Sequence, residues 1–183
     1  VDTSYLMMGY NFNTIKTSGH FSLNHKVNKK NLIKTGVNLD VFSLFQSDSV
    51  LYDLDAPDNF KNRWDYSGTQ LLVQPFIQWK YRASDNLDFT LGLHSQYYSY
   101  ANSLSPLEPR TAIKYRFKNN QSVFAGAGLH SQMQPLYTYS YHQLDANGNK
   151  VYQNQDMGLM KSVHSGLGSV SYTHLRAHET EEN

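Results

Sequence analysis

The chain has 183 residues, 39% hydrophobic and 14% aromatic, no cysteine, and 16 basic against 15 acidic side chains for a formal charge of +1. That balance offers no basic surface for a nucleic acid. A mean hydropathy of −0.59, with no apolar run near the roughly 18 residues that a membrane helix needs, excludes a helical membrane protein but not a membrane β-barrel, whose alternating strands need only about ten residues each.

From the N-terminus, Val1-Asp2-Thr3-Ser4 has neither the basic region nor the apolar stretch of a signal peptide, so either processing removed one or the chain begins inside a larger gene. A first turn is expected at Asn28 to Asn31. Beyond it, Ile33, Thr35, Val37, Leu39 and Val41 alternate with Lys34, Gly36, Asn38 and Asp40, the period of a strand with one apolar face. A long connection, Ser49 to Gly68, follows. Leu71, Val73, Pro75, Ile77, Trp79 and Tyr81 then alternate against Gln70, Leu72, Gln74, Phe76, Gln78, Lys80 and Arg82, and after a tight turn at Ala83 to Asn86 Leu87, Phe89, Leu91 and Leu93 face away from Asp88, Thr90, Gly92 and His94.

A further connection at Asn102 to Pro106 leads into the clearest alternation of the chain. Leu107, Pro109, Thr111, Ile113, Tyr115 and Phe117 share one parity, and Glu108, Arg110, Ala112, Lys114 and Arg116 share the other. After the turn Lys118 to Gln121, Val123, Ala125, Ala127 and Leu129 oppose Phe124, Gly126, Gly128 and His130. A last long connection spans Leu144 to Gly158. Within it Asp145-Ala146-Asn147-Gly148-Asn149 has the opening of a calcium loop, but Asp156 stands where a Glu is usual, and a plain Asn-Gly turn is the expectation.

A one-sided ribbon of this kind has two readings. In a soluble sandwich the apolar face is the core; in an outer-membrane barrel it meets lipid while the charged face lines a watery lumen. The strands outlast the five or six residues usual in soluble sheets, and short and long connections alternate, as they do in a barrel with short periplasmic turns and long outer loops. The expected fold is therefore all-β, an antiparallel up-and-down meander of about eight long strands forming an incomplete portion of a large outer-membrane barrel. The alternative is a secreted carbohydrate-binding β-sandwich. No nucleophile elbow, zinc-protease motif, phosphate loop or nucleotide fingerprint occurs, so no enzyme and no cofactor is expected.

The string Gly92-Leu93-His94-Ser95-Gln96 recurs as Gly128-Leu129-His130-Ser131-Gln132. A metal shared by His94 and His130 is not expected, because an intervening strand holds their backbones roughly 10 Å apart. Both histidines are expected to line the lumen.

At Leu107-Glu108-Pro109-Arg110 through Gly128-Leu129-His130-Ser131-Gln132-Met133-Gln134-Pro135-Leu136 the sequence resembles the late barrel region of bacterial TonB-dependent outer-membrane receptors, in particular the group with a carboxypeptidase-like regulatory domain. Met160 to His164 and the early hairpin from Asn24 to Val37 resemble further strands of that family, so the resemblance spans Tyr5 to Gly168. It implies a large plugged barrel in the bacterial outer membrane that imports a scarce small substrate with energy delivered by the TonB complex, with a surface lipoprotein as a further partner. The plug, the TonB-contacting segment and the closing strand are not in this chain, so transport belongs to a parent protein. On this reading Glu108, Arg110, Lys114 and Arg116, with His94 and His130, face the lumen, where the charges pair with one another or hold the plug. The loop from Leu51 to Ser67, carrying Asp53, Asp55, Phe60, Trp64 and Tyr66, is the candidate for substrate contact, since aromatics with carboxylates stack on sugars or bind cations; self-packing of the loop is the alternative.

The terminal string Val170 to Thr180, VSYTHLRAHET, resembles the translated read-through of a transposase-based sequencing adapter. The expected division is thus 1-169 as partial barrel and 170-183 as a non-native tail, helical or disordered, with the barrel portion continuing elsewhere.

Overall fold

The computed structural model describes residues 7–51, 59–118 and 121–171. Seven long strands form an antiparallel meander in which each pairs with its sequence neighbours: β1 (Met8–Lys26), β2 (Asn31–Leu51), β4 (Asp65–Arg82), β5 (Leu87–His94), β8 (Glu108–Arg116), β9 (Gln121–Gln132) and β12 (Met160–Ser171). Three short strands, β3 (Phe60–Lys61), β6 (Tyr97–Tyr98) and β7 (Ser103–Leu104), bring this sheet to ten, and β10 (Gln143–Leu144) pairs with β11 (Lys150–Val151) in a separate hairpin. The sheet curls into a half-barrel. The expected all-β meander is thus present, with seven long strands against about eight anticipated.

The strands outrun the periodic stretches that announce them. β2 continues to Leu51 and β4 begins at Asp65, so much of the expected Ser49–Gly68 connection is strand. Outer polar residues such as Ser43, Ser47, Ser67 and Thr69 carry no apolar period, but their backbones stay paired, Ser43 with Thr69 and Ser47 with Asp65. The connection after β9 is correspondingly longer than Leu144–Gly158. It leaves at Met133 and holds one helical turn, α1 (Leu136–Tyr139), before the β10–β11 hairpin.

Register places the two parities on opposite faces. Ile33 opposes Trp79, Leu39 opposes Val73, Leu93 opposes Ile77 and Pro109, and Leu129 opposes Val163, so one face carries a continuous apolar band. Its members are open: Ile77 is 47% exposed, Leu93 44% and Val163 76%. The other face carries the charged parity and, at one end, the hydrophobic core. Phe42, Leu44, Leu72, Tyr98, Ala101 and Tyr139 pack there, with Tyr66, Tyr100, Met133 and Leu136 against them.

This core lies on the concave side, because the connection after β9 crosses it to reach β2, four strands and about 19 Å away at the usual strand spacing. Ser140 donates through its hydroxyl to Gln46 Oε1, Trp64 Nε1 donates to the Tyr137 carbonyl at 2.7 Å, and the His142 amide donates to the Arg63 carbonyl at 3.0 Å. Lower on the same face, the Phe76 ring lies against Gly36, its cross-strand partner, where a Cβ would stand 2.8 Å from the ring. Only glycine leaves room there for the aromatic ring.

β12 runs through Ser171, pairing Val170 with Ser122 and Ser171 with Gln121. The first two residues of the expected tail therefore continue the sheet, and 172–183 lie outside the described residues.

Candidate functional site

The concave face holds two ion-pair networks, each built by strand register. In the first, Glu108 opens β8 opposite His94, the last residue of β5. Its carboxylate, 1% exposed, meets His94 Nδ1 at 2.8 Å and accepts from Gln96 Nε2 at 3.1 Å and from Arg110 Nη2 at 3.1 Å. Gln96 also donates to the Ser131 carbonyl, tying β9 into the cluster. In the second, Asp88, 4% exposed, is ringed by Arg116, by Lys80 at 3.5 Å and by Arg82 at 3.7 Å. Buried carboxylates are tolerated when cations and donors surround them; Glu108 has both oxygens hydrogen-bonded, whereas Asp88 is bonded through Oδ2 and its buried Oδ1 has no hydrogen-bond partner among the described residues, with Arg82 Nε 3.7 Å away.

The predicted lumen residues divide accordingly. Glu108, Arg110 and His94 meet in one cluster, Arg116 belongs to the other, and Lys114 has no anionic partner among the described residues. His130 does not join His94, since β8 lies between β5 and β9. Its ring instead stands 4.8 Å from that of His164, edge to face, and His164 Nε2 contacts Ser162 Oγ at 2.8 Å. The separation of His94 from His130 by a strand is as the sequence leads one to expect, but the spacing did not reveal the His130–His164 contact. The signal that finds this one is register: Ser162 opposes His130 and Gly128 opposes His164, which sets the two histidines diagonally on adjacent strands.

Of the loop candidates, Asp53 and Asp55 lie outside the described residues. Trp64 and Tyr66 are committed to packing. Trp64 sits among Phe12, Tyr137 and Tyr141 at centroid distances of 5.4, 6.3 and 5.5 Å, with the Arg63 guanidinium over its ring at 4.8 Å. Tyr66 meets Tyr100 edge-on at 5.1 Å against the core. Phe60 remains available: with Asn62, Tyr141, Gln143 and Lys150 it lines a cavity of about 740 Å³ between β3 and the β10–β11 hairpin.

The anchor of this outer end is Asp48, whose fully buried carboxylate accepts from the amides of Arg63 and Trp64 at 2.6 and 2.9 Å and from Arg63 Nε at 2.7 Å. Nothing in the local sequence marks it. His142 is buried beside the cavity, and burial, reinforced by the charge of Lys150, pushes its pKa down. Asp145 is spent on its own turn, accepting from the amides of Asn147 and Asn149 at 2.8 Å each, with Gly148 at φ +80°. That is an Asx-stabilised hairpin turn.

No protein-family model matches the chain, and no curated protein matches it either.

Proposed function

We propose that this chain is a section of the wall of a TonB-dependent transporter in the bacterial outer membrane, competent for import only within its parent protein. The observation that carries the proposal is the inside-out distribution of side chains. The convex face is apolar and open, and the concave face holds the ion pairs of Glu108 and Asp88. A soluble half-barrel would do the reverse, placing its charges outward in water.

The band has the dimension that lipid requires. On β4 it runs from Leu71 to Tyr81 below the polar Asp65, Ser67 and Thr69. At about 3.3 Å per residue that is about 33 Å of strand, and a tilt of about 40° reduces it to about 25 Å, the height of the apolar belt of outer-membrane barrels. Aromatic residues gather at the short-turn end, Trp79 stacked on Tyr81 at 5.7 Å and Tyr115 on Phe117 edge-on at 4.9 Å, where an interfacial girdle belongs. Tight turns join β1 to β2, β4 to β5 and β8 to β9, while the long connections all leave the other end.

In this reading the concave networks line the lumen and the cavity at Phe60 and Tyr141 faces the outside, where a small substrate first arrives. TonB engages the parent through segments outside this chain. Expressing the complete gene and fractionating the cells tests the proposal: the product should band with outer membranes and resist extraction by urea. Recovery in the soluble periplasmic or secreted fraction would favour the carbohydrate-binding sandwich.

A further inference from the structure

The convex face is not uniformly smooth. Between β4 and β12 it dips into a groove of about 640 Å³, walled by Trp79, Leu93, Leu129 and Val163 and floored by Thr111 and Ala127. The floor is low because these two small residues oppose each other across β8 and β9, while Trp79, Leu93 and Val163 stand on the flanking strands β4, β5 and β12 and Leu129 two residues along β9 from Ala127. Resting on the membrane reading above, we propose that this groove holds one acyl chain of a phosphorylated lipid of the outer leaflet, with Lys161 meeting its phosphate.

Two observations select that occupant. The first is depth. The groove crosses from β12 to β4, four strand spacings or about 19 Å. It begins at Val163, two residues below Lys161 on β12, and ends at Trp79, two residues from the lower end of the apolar stretch of β4 from Leu71 to Tyr81. With strands tilted about 40°, a path perpendicular to them descends about 12 Å to Ile77, and the two residues on to Trp79 add about 5 Å. That total of about 17 Å is close to the roughly 15 Å that one acyl chain spans, half of a hydrocarbon core of about 30 Å, with its headgroup at the long-loop end.

The second is charge. Lys161 lies two residues above Val163 on the same parity of β12 and is exposed, at the upper mouth of the groove. It has no anionic partner among the described residues, unlike Lys16, Lys80 and Lys150, which pair with Asp40, Asp88 and Asp65. A cation just above an apolar slot matches a phosphate just above an acyl chain.

The test uses brominated lipids, which quench tryptophan on contact. Trp64→Phe leaves Trp79, at the lower end of the groove, as the one tryptophan of the two in the chain. The chain is reconstituted in phosphatidylcholine vesicles carrying either acyl-brominated phosphatidic acid or acyl-brominated phosphatidylcholine. The expected result is a preference of about fivefold for phosphatidic acid, the factor one lysine confers near an anionic lipid. That preference falls to about onefold in Lys161→Gln and in Ala127→Phe, which fills the floor. Equal quenching by both lipids, or a preference that survives Lys161→Gln, overturns the lipid site and leaves the membrane wall standing. Absence of quenching by either lipid overturns the wall itself and the site with it. Should Trp64→Phe disturb the fold, a bimane on Leu93→Cys, introduced into a chain without cysteine, gives the same readout.

Discussion

Replacing Ile77 by Lys sets the two faces of the sheet against each other. Ile77 lies four residues from the lower end of the apolar stretch on β4 and six from its upper end, with its side chain on the convex face between Thr35 and Leu93. In a membrane a lysine there stands near the bilayer midplane and should cost about 2–4 kcal/mol. In water the same position, already 47% exposed, would accept lysine within about 0.5 kcal/mol. The next residue supplies the control. Gln78 faces the concave side opposite Lys34, and Gln78→Glu places opposite charges across a strand pair, worth about 0.2–1 kcal/mol in favour. Equilibrium unfolding by guanidinium in phosphatidylcholine vesicles measures both. A cost below about 0.5 kcal/mol for Ile77→Lys would refute the assignment of the convex face to lipid.

At the outer end, Asp48→Ala leaves the Arg63 and Trp64 amides and the Arg63 guanidinium without their shared acceptor, and should loosen the segment by about 3 kcal/mol. Limited proteolysis around Asn62 reads the loss; cleavage at the native rate would show that the cluster carries no such weight. His142 makes the docked connection sensitive to acid. Its folded pKa lies below the ordinary histidine value of about 6.5. As pH falls through about 6.5 the undocked segment takes up a proton that the docked one refuses, and docking weakens. Hydrogen exchange at the backbone amide of His142, bonded to the Arg63 carbonyl, should therefore quicken relative to its intrinsic rate between about pH 7 and pH 5, and His142→Phe should flatten the dependence; the opposite slope would contradict the burial argument. On the transporter reading proposed above, Arg110→Ala in the complete protein should raise passive entry of bulky antibiotics if the half-exposed guanidinium also holds a plug, whereas unchanged permeability would confine it to Glu108.

The meander and its two faces were legible because a strand's period of two is written directly in Leu107 to Phe117 and in Leu71 to Arg82. Strand ends were not. Beyond Val41 on β2 the apolar residues Phe42 and Leu44 stand on the concave parity, where a local core under the connection after β9 packs them. That connection joins Ser140 to Gln46 across 94 residues, a separation that no local pattern encodes. The same limit governs the site. Glu108, Arg110 and Arg116 were visible as one charged parity, but their division into two networks depends on His94 and Asp88 arriving by register from β5. The His130–His164 contact needs β12 in place, and Asp48 acquires its role only when Arg63 folds back onto β2.

The most direct test of the central claim is a spin-label scan along β8, one cysteine at a time from Arg110 to Tyr115, in reconstituted vesicles. A period of two is expected: labels at Thr111, Ile113 and Tyr115 collide with oxygen dissolved in lipid, and labels at Arg110, Ala112 and Lys114 collide with a water-soluble nickel chelate. Labels on the Ile113 parity that meet only the chelate, or neither reagent, would contradict it, because that face would then lie against water or a second layer of protein.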